Sequence, residues 1–525
     1  MNPRTLGQTL QEAFLLHQQG KLSEAGRRYK AILKLDASNF NALHMLGVIC
    51  VQQGRHADAA KLIREALKHN PYSAEAHSNL GHALLGLSRY EEAISCCRSA
   101  VRLKPDYADA HNNLGLALQG VGRHDEAIAS CQKALALVPD HAGALNNVGL
   151  ALEALDRHDD AIASYRKATA LRSDFAEAHN NLGNGLQQLL RHEEAIACYQ
   201  RAQAIAPDFA DTHWGESLAR LALGDFAAGW QKYEWRWRTK ALASEKRDFR
   251  RPLWLGEVDL DGKRILLHAE QGLGDTLQFV RYAPLVTARG AKVTLQVQAA
   301  LKPLLDTLVG MDAVVTEAAP PRVYDCHCPL LSLPLAFRTT LETVPAKVPY
   351  LFPPASKLAE WRPSLSNLGR PTVGVTWSGN ATHRNDRNRS IALPQLAALF
   401  STPRVQFVSI QKDLRGHERE WLESFPALIH LGEKLQDFAD TAAVVLQLDL
   451  VVTVDTAAAH LAGALAKPVW VLLPYAPDWR WLLHREDSPW YPTMRLFRQS
   501  RPGDWETVID RVAHELVRLA DNGAS

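Results

Sequence analysis

Residues 106–139 read DYADAHNNLGLALQGVGRHDEAIASCQKALALVP, and this stretch decides the fold. Gly115 is followed twelve residues on by Ala127, seven further by Ala134 and five further by Pro139. The series recurs outward without a slip: Gly47, Gly81, Gly149 and Gly183 stand at 34-residue steps from Gly115. Ala59, Ala93, Ala161 and Ala195 repeat Ala127, and Ala66, Ala100, Ala168 and Ala202 repeat Ala134. Pro71, Pro105 and Pro207 close their copies, while Ser173 takes the proline's place in one. Small residues at fixed spacing let the two helices of a hairpin approach closely, and proline ends the second helix. Weaker copies flank the set, with Ala13, Ala25 and Tyr29 before it and Ser217, Gly229 and Tyr233 after it. Five clear copies between two degenerate ones predict an all-α solenoid. Its stability is a sum of neighbouring interfaces, and stacking produces a concave groove.

This 34-residue pattern resembles the tetratricopeptide repeat. Two residues before four of the glycines stand Asn79, Asn113, Asn147 and Asn181, on the first helix of each hairpin; Met45 breaks the row. A carboxamide both donates and accepts, so a row of them can bond a polypeptide backbone whatever its side chains. The row resembles the asparagine ladder of O-linked N-acetylglucosamine transferase, which implies a polypeptide partner in the groove. The alternative is that each asparagine braces one repeat against the next.

The chain has 525 residues, too many for one core. Its net charge of +2 excludes a field suited to nucleic acid or to an anionic membrane surface. Met1–Gly20 holds no long apolar stretch, and Thr441–Leu473 is interrupted by Asp449, Asp455, His460 and Lys467. No membrane span or signal peptide is expected, and the location expected is cytoplasmic. Cys96, Cys97, Cys131 and Cys198 fall on second helices of repeats, and Cys326-His327-Cys328 reads as a strand; no metal site is expected. Between Gly224 and Trp237 three tryptophans predict a packed seam where the repeats end.

After about residue 255 the periodicity changes. Strands are expected over 264–270, 291–298, 312–317 and 323–328, with a helix over 276–289 completing a βαβ unit. A Pro-rich passage, 344–363, leads to further strands over 371–378, 405–411, 450–454 and 468–473, with helices over 395–400, 437–447, 456–466 and 506–519. The expected organisation is a repeat superhelix over 1–239 followed by α/β: two Rossmann-like lobes, 240–363 and 364–525. Ligands of such sheets sit beyond the carboxyl ends of the strands.

Three loops fall at such ends. In Gly272-Leu273-Gly274-Asp275 two glycines permit a tight turn, and Asp275 is either a helix cap or a carboxylate fixed at a cleft. In Asp455-Thr456-Ala457-Ala458-Ala459-His460, Thr456 can cap a helix whose free amides suit a diphosphate, and His460 shares its face. The third loop starts at Trp377-Ser378 and carries Arg384, Arg387 and Arg389, which suit a charged leaving group or simply solvate the loop. Lys412 adds a cation at the same sheet edge.

The module over residues 255–525 resembles the heptosyltransferase-like glycosyltransferases, the family-9 type with the two-lobed B fold. The matching pieces are Gly274-Asp275 and Asp455-Thr456 with His460; Ala457 stands where the family usually has glycine. The resemblance implies metal-independent, inverting transfer of a sugar from a nucleotide-sugar donor substrate, with no further cofactor. Asp275 would be the general base. Gly272, Gly274, Ser378, the three arginines, Lys412, Asp455, Thr456 and His460 would hold the donor. The alternative is a non-catalytic repeat scaffold carrying a degenerate transferase-like module.

Overall fold

The computed structural model describes residues 3–318, 323–369, 371–383 and 385–522. It divides into two compact units, Met1–Leu186 with Arg201–Pro207, and Gln187–Gln200 with Asp208–Ser525.

The first unit is built of antiparallel helix pairs. Phe40–Gln52 pairs with His56–His69, Ala74–Leu85 with Tyr90–Leu103, Ala108–Gly120 with His124–Leu137, and Ala142–Ala154 with His158–Leu171. The glycine period has a direct steric cause. A Cβ on Gly81 would lie 2.4 Å from Cys97 Sγ, and one on Gly115 would lie 2.3 Å from Cys131 Sγ. No side chain fits between the paired helices at that level, so the second-helix cysteines act as small apolar plugs. Burial pushes the Cys97 and Cys131 thiols up to about 12, which keeps them protonated and inert. Ala59, Ala93 and Ala161 are fully buried where the helices cross.

Besides Gln187–Gln200, the second unit holds the hairpin Ala210–Ala222 and Phe226–Tyr233, followed by a 3-10 turn, Glu234–Arg238. Its strands are β1 (Arg264–His268), β2 (Lys292–Val297), β3 (Ala313–Thr316), β4 (Cys326–Pro329), β5 (Thr372–Thr376), β6 (Gln406–Ser409), β7 (Ile429–His430), β8 (Leu450–Val454), β9 (Val469–Leu473) and β10 (Met494–Arg498). They form a four-stranded sheet, β3-β2-β1-β4, and a six-stranded sheet, β10-β9-β8-β5-β6-β7, with every pair parallel. β5 and β8 are buried along their whole length, as central parallel strands must be when helices cover both faces. The expected strands and helices are present, most with shorter bounds; β8 has the expected bounds, β4 is shifted to Cys326–Pro329, and the last helix is longer, Trp505–Asn522. The expected helix over 276–289 is two pieces, Leu273–Phe279 and Ala283–Thr287, joined by a 3-10 turn. The Pro-rich passage contains a helix, Ala355–Leu365, and β7, β10 and the helix Glu418–Glu423 are additional to the expected set.

The tryptophan-rich passage packs inward. Trp230 is buried edge-on to Tyr233, Phe279 and Trp479, while Phe226 stacks on Trp490. The last hairpin is thereby part of the same core as the sheets. Among the described residues no helix is long and apolar enough to cross a membrane.

Candidate functional site

β1 ends at His268 and the chain turns through Gln271, which has φ +58°, into the helix Leu273–Phe279. Gly272 holds the N-cap position, so Asp275 is not the cap residue itself. It stands three residues on, and its Oδ2 accepts from the Gly272 amide at 2.8 Å. Its Oδ1 is ion-paired with Arg480. The candidate base therefore has one oxygen on a helix end and the other on a guanidinium, and 18% of its side chain faces solvent.

The second loop follows β8. Thr456 occupies the N-cap position of the helix Ala457–Ala464 but does not cap it with its side chain. Its hydroxyl lies 3.2 Å from Thr453 Oγ1 instead. The expectation of a threonine cap is corrected: the hydroxyl is drawn back along the strand and leaves the helix's leading amides without a cap from Thr456. The first residue of that helix lies against Gly274. A Cβ built there would sit 3.5 Å from Ala457 Cα, 3.7 Å from Ala457 N and 2.9 Å from His460 Cδ2. Glycine at 274 is what allows the two loops to meet. His460 lies beneath this meeting point. It is buried, stacked on Trp481 at 5.4 Å, and its Nδ1 pairs with the Tyr491 hydroxyl at 3.0 Å. Burial, helped by Arg480 and Arg281, holds it well below the usual histidine range, so it is neutral and forms the floor of the site. The Asp455 carboxyl is pushed up to about 6, first by burial and then by the carboxylate of Asp478.

Of the three arginines of the third loop, Arg389 reaches the site, donating to the Asp455 carbonyl at 3.1 Å. Arg387 is exposed, and Arg384 lies outside the described residues. Ser378 is buried and its hydroxyl accepts from Gln411 Nε2 at 3.0 Å, while Gln411 Oε1 takes the amides of Trp377 and Ser378. This side chain fastens β5's end to β6's end. Lys412 is exposed and donates to the Gln436 carbonyl at 3.0 Å.

Sequence reasoning does not single out the loop after β9. Arg480 donates to Asp478 at 2.8 Å and to Gln278 at 2.7 Å besides pairing with Asp275, and its guanidinium lies 4.4 Å from the Trp479 ring centre. It ties the end of β1 to the end of β9, strands of different sheets. The rule that points to the other loops, a polar cluster just past a buried strand, applies equally to Asp478-Trp479-Arg480-Trp481 after β9.

In the first unit the asparagine row is a chain of inter-repeat hydrogen bonds. Asn79 Nδ2 donates to His44 Nε2 at 2.9 Å, Asn113 to Ser78 Oγ at 3.1 Å, Asn147 to Asn112 Oδ1 at 2.8 Å, and Asn181 to Asn146 Oδ1 at 3.0 Å. Each bond spans 35 residues, from one repeat to the preceding one. The side-chain nitrogens are thus engaged in bracing.

Tetratricopeptide-repeat family models match residues 10–74, 51–117, 106–174 and 176–209, so the region from about 10 to 209 consists of these repeats. Protein FlbA of Caulobacter vibrioides is 31% identical over 325 residues, covering 57% of this chain and 54% of FlbA. The chain thus spans about half the length of the curated relative it matches. Among solved structures, a thermophilic repeat protein of Thermus thermophilus is 27% identical, covering 35% of this chain and 100% of that one with a TM-score of 0.33. MamA is 30% identical, covering 31% and 96% with a TM-score of 0.28.

Proposed function

We propose that this chain is a glycosyltransferase with two Rossmann-like lobes of the B-fold type, using a nucleotide-sugar donor, and that its repeats dock a polypeptide acceptor or partner. The observation that carries the reading is the meeting of Gly274-Asp275 with the amino end of the helix Ala457–Ala464, with Arg389 and Arg480 beside it. Helix-end amides and guanidinium groups are suited to a diphosphate. In the reaction, the acceptor O–H gives its proton to Asp275 as its oxygen bonds the anomeric carbon. The bond from that carbon to the diphosphate oxygen breaks, and the nucleoside diphosphate leaves with the electron pair. Arg389, Arg480 and the amides of the helix would take up the charge that develops. One positioned carboxylate suffices for the proton.

A second reading, a binding scaffold with an inactive module, is favoured by one observation: both Asp275 oxygens are already bonded. A thermal-shift screen against UDP-, GDP-, ADP-, CMP- and dTDP-sugars separates the two, because a bound donor raises the melting temperature by mass action. With the donor in hand, Asp275→Asn is expected to keep nucleotide affinity and lower kcat by about 10²–10⁴-fold. No shift with any donor would leave the scaffold, whereas transfer by the mutant at the wild-type rate would remove Asp275 as the base.

A further inference from the structure

A cavity of about 500 Å³ opens at the carboxyl ends of β1, β2 and β4, within the usual range for small-molecule sites. Its wall is a strap that runs from Trp237 through Arg247 and Phe249 and is fastened to the outer edge of β4. The Trp254 amide donates to the His327 carbonyl at 2.8 Å, and the His327 amide donates to the Pro252 carbonyl at 3.0 Å. Glu245 and Lys246 line it from the strap, and from the sheet side so do Gln271 and Gln298. Both touch the Asp275 loop: Gln271 begins it, and Gln298 Oε1 accepts from Thr276 Oγ1 at 2.9 Å.

The hydrogen bonds determine which way the histidines of this cavity point their protons. Arg247 Nη2 lies 3.1 Å from His268 Nδ1, and a guanidinium can only donate. His268 Nδ1 is therefore the bare nitrogen, and the proton of the neutral ring sits on Nε2. That Nε2–H donates to His327 Nδ1 at 3.2 Å, which places the proton of His327 on its Nε2. Among the described residues nothing accepts from this last N–H. Burial keeps both rings neutral, His268 well below the usual histidine range and His327 down to about 4. Phe249 stacks on both at 4.4 and 4.2 Å.

The charges around the floor are already matched. Glu270 is held by Arg236 through two bonds of 2.8 and 2.9 Å. Arg247 donates further to Gln296 and to the Ala269 carbonyl at 2.6 Å each and pairs with Glu317 at 3.2 Å. What faces the cavity is a neutral donor, aromatic faces and carboxamides, with Glu245 and Lys246 exposed on the strap; the carboxylates of the lining, Glu245, Glu270 and Glu317, outnumber its cations, Lys246 and Arg247, so the lining does not favour an anion.

We infer that this cavity binds an uncharged, hydroxyl-bearing ligand whose oxygen accepts from His327 Nε2–H, and that this ligand is the acceptor of the transfer. That it is the acceptor rests on the transferase reading; that the cavity takes a neutral alcohol rests only on the residues named. Such a hydroxyl can come from a sugar or from a serine side chain.

The test is binding to the full chain without any nucleotide sugar, by saturation-transfer NMR. It uses two matched pairs: methyl glucoside against glucose 6-phosphate, and a neutral serine hexapeptide against its phosphoserine form. One neutral member should bind, and its phosphate ester should bind at least about tenfold more weakly. Which pair responds identifies the source. His327→Phe should lose about tenfold, whereas His327→Gln, whose amide nitrogen falls near the ring Nε2, should retain binding. Phe249→Ala, on the strap rather than in the sheet, serves as the second variant should β4 not tolerate phenylalanine, and it should weaken binding as well. Equal or tighter binding of the phosphate esters overturns the inference, as does equal behaviour of His327→Phe and His327→Gln, or silence from both neutral probes. The nucleotide-sugar thermal shift, measured on the same variants, separates failure of this cavity from failure of the transferase reading.

Discussion

Arg480 is the residue on which the candidate site depends most, and replacing it with methionine should show this. Its side chain is 9% exposed, and those of Asp275 and Asp478 are 18% and 36% exposed. Methionine fills much of the same volume over Trp479 but leaves two carboxylates without their cation. Removing one partner of a buried pair costs about 3–5 kcal/mol. Asp478 is more than a third exposed and its share is screened, so about 3 kcal/mol is expected for Arg480→Met. Asp275→Asn alone should cost less, about 1–2 kcal/mol, because Arg480 keeps Asp478 and Gln278. Judged from the sequence, this substitution is almost neutral; the ion pair with Arg480 is why it is not. Once the arginine is gone, the Asp275 charge is only a liability. The double mutant should therefore be more stable than the sum of the singles predicts, by about 1–3 kcal/mol. All 13 tryptophans lie between Trp214 and Trp505 and so belong to the second unit, which makes indole fluorescence in urea a reporter of that unit alone. Additivity within about 0.5 kcal/mol would refute the proposed coupling and mark the Arg480–Asp275 pair as incidental.

Two further outcomes are expected. The half-buried Asp455 carboxyl is pushed up to about 6 by desolvation and by the Asp478 carboxylate, so above that pH it is charged and repels a diphosphate at the neighbouring helix end. Affinity for a nucleotide sugar should rise several-fold as pH falls from about 7.5 to about 5, and Asp455→Asn should flatten the curve and bind more tightly at the upper end. A pH-independent affinity by calorimetry would contradict this. Replacing Asn113, Asn147 and Asn181 with alanine should lower the thermal stability of the repeats, since each removes a partly buried inter-repeat bond of about 1 kcal/mol. If the same triple mutant melts like the wild type, the amide chain braces nothing.

Much of the architecture was legible because its causes are local and repeated. The glycines recur because a Cβ at Gly81 or Gly115 would strike a sulfur atom. β8 was legible to the residue because a strand buried on both faces is a continuous apolar run. β10 was not, since Arg495 and Arg498 break its apolar run; Arg495 finds Glu515, and Arg498 finds main-chain carbonyls of 481 and 485. The helix Ala355–Leu365 was hidden by the prolines around it and by Pro363 in its last turn. Gly274-Asp275 and the start of the helix Ala457–Ala464 could be marked as candidates from their places at strand ends. Their partner Arg480 could not, for it lies 205 residues from Asp275 and no spacing encodes such a pair. Likewise, a carboxamide row carries no local sign of whether its protons go to a neighbouring repeat or to a guest.

The amide chain of the first unit also has a mechanical meaning. Its bonds all run one way, from each repeat to the one before it, beginning at His44 and reaching Asn181. Each spans one residue more than the 34-residue repeat, so the stitch is slightly oblique to the stacking direction. A superhelix stitched in this way behaves as a spring whose coils are sewn together along one line. Pulling it open along its axis must tear these bonds, whereas bending it about the stitched line leaves them intact. The repeats can flex like a hinged strip yet resist being drawn out.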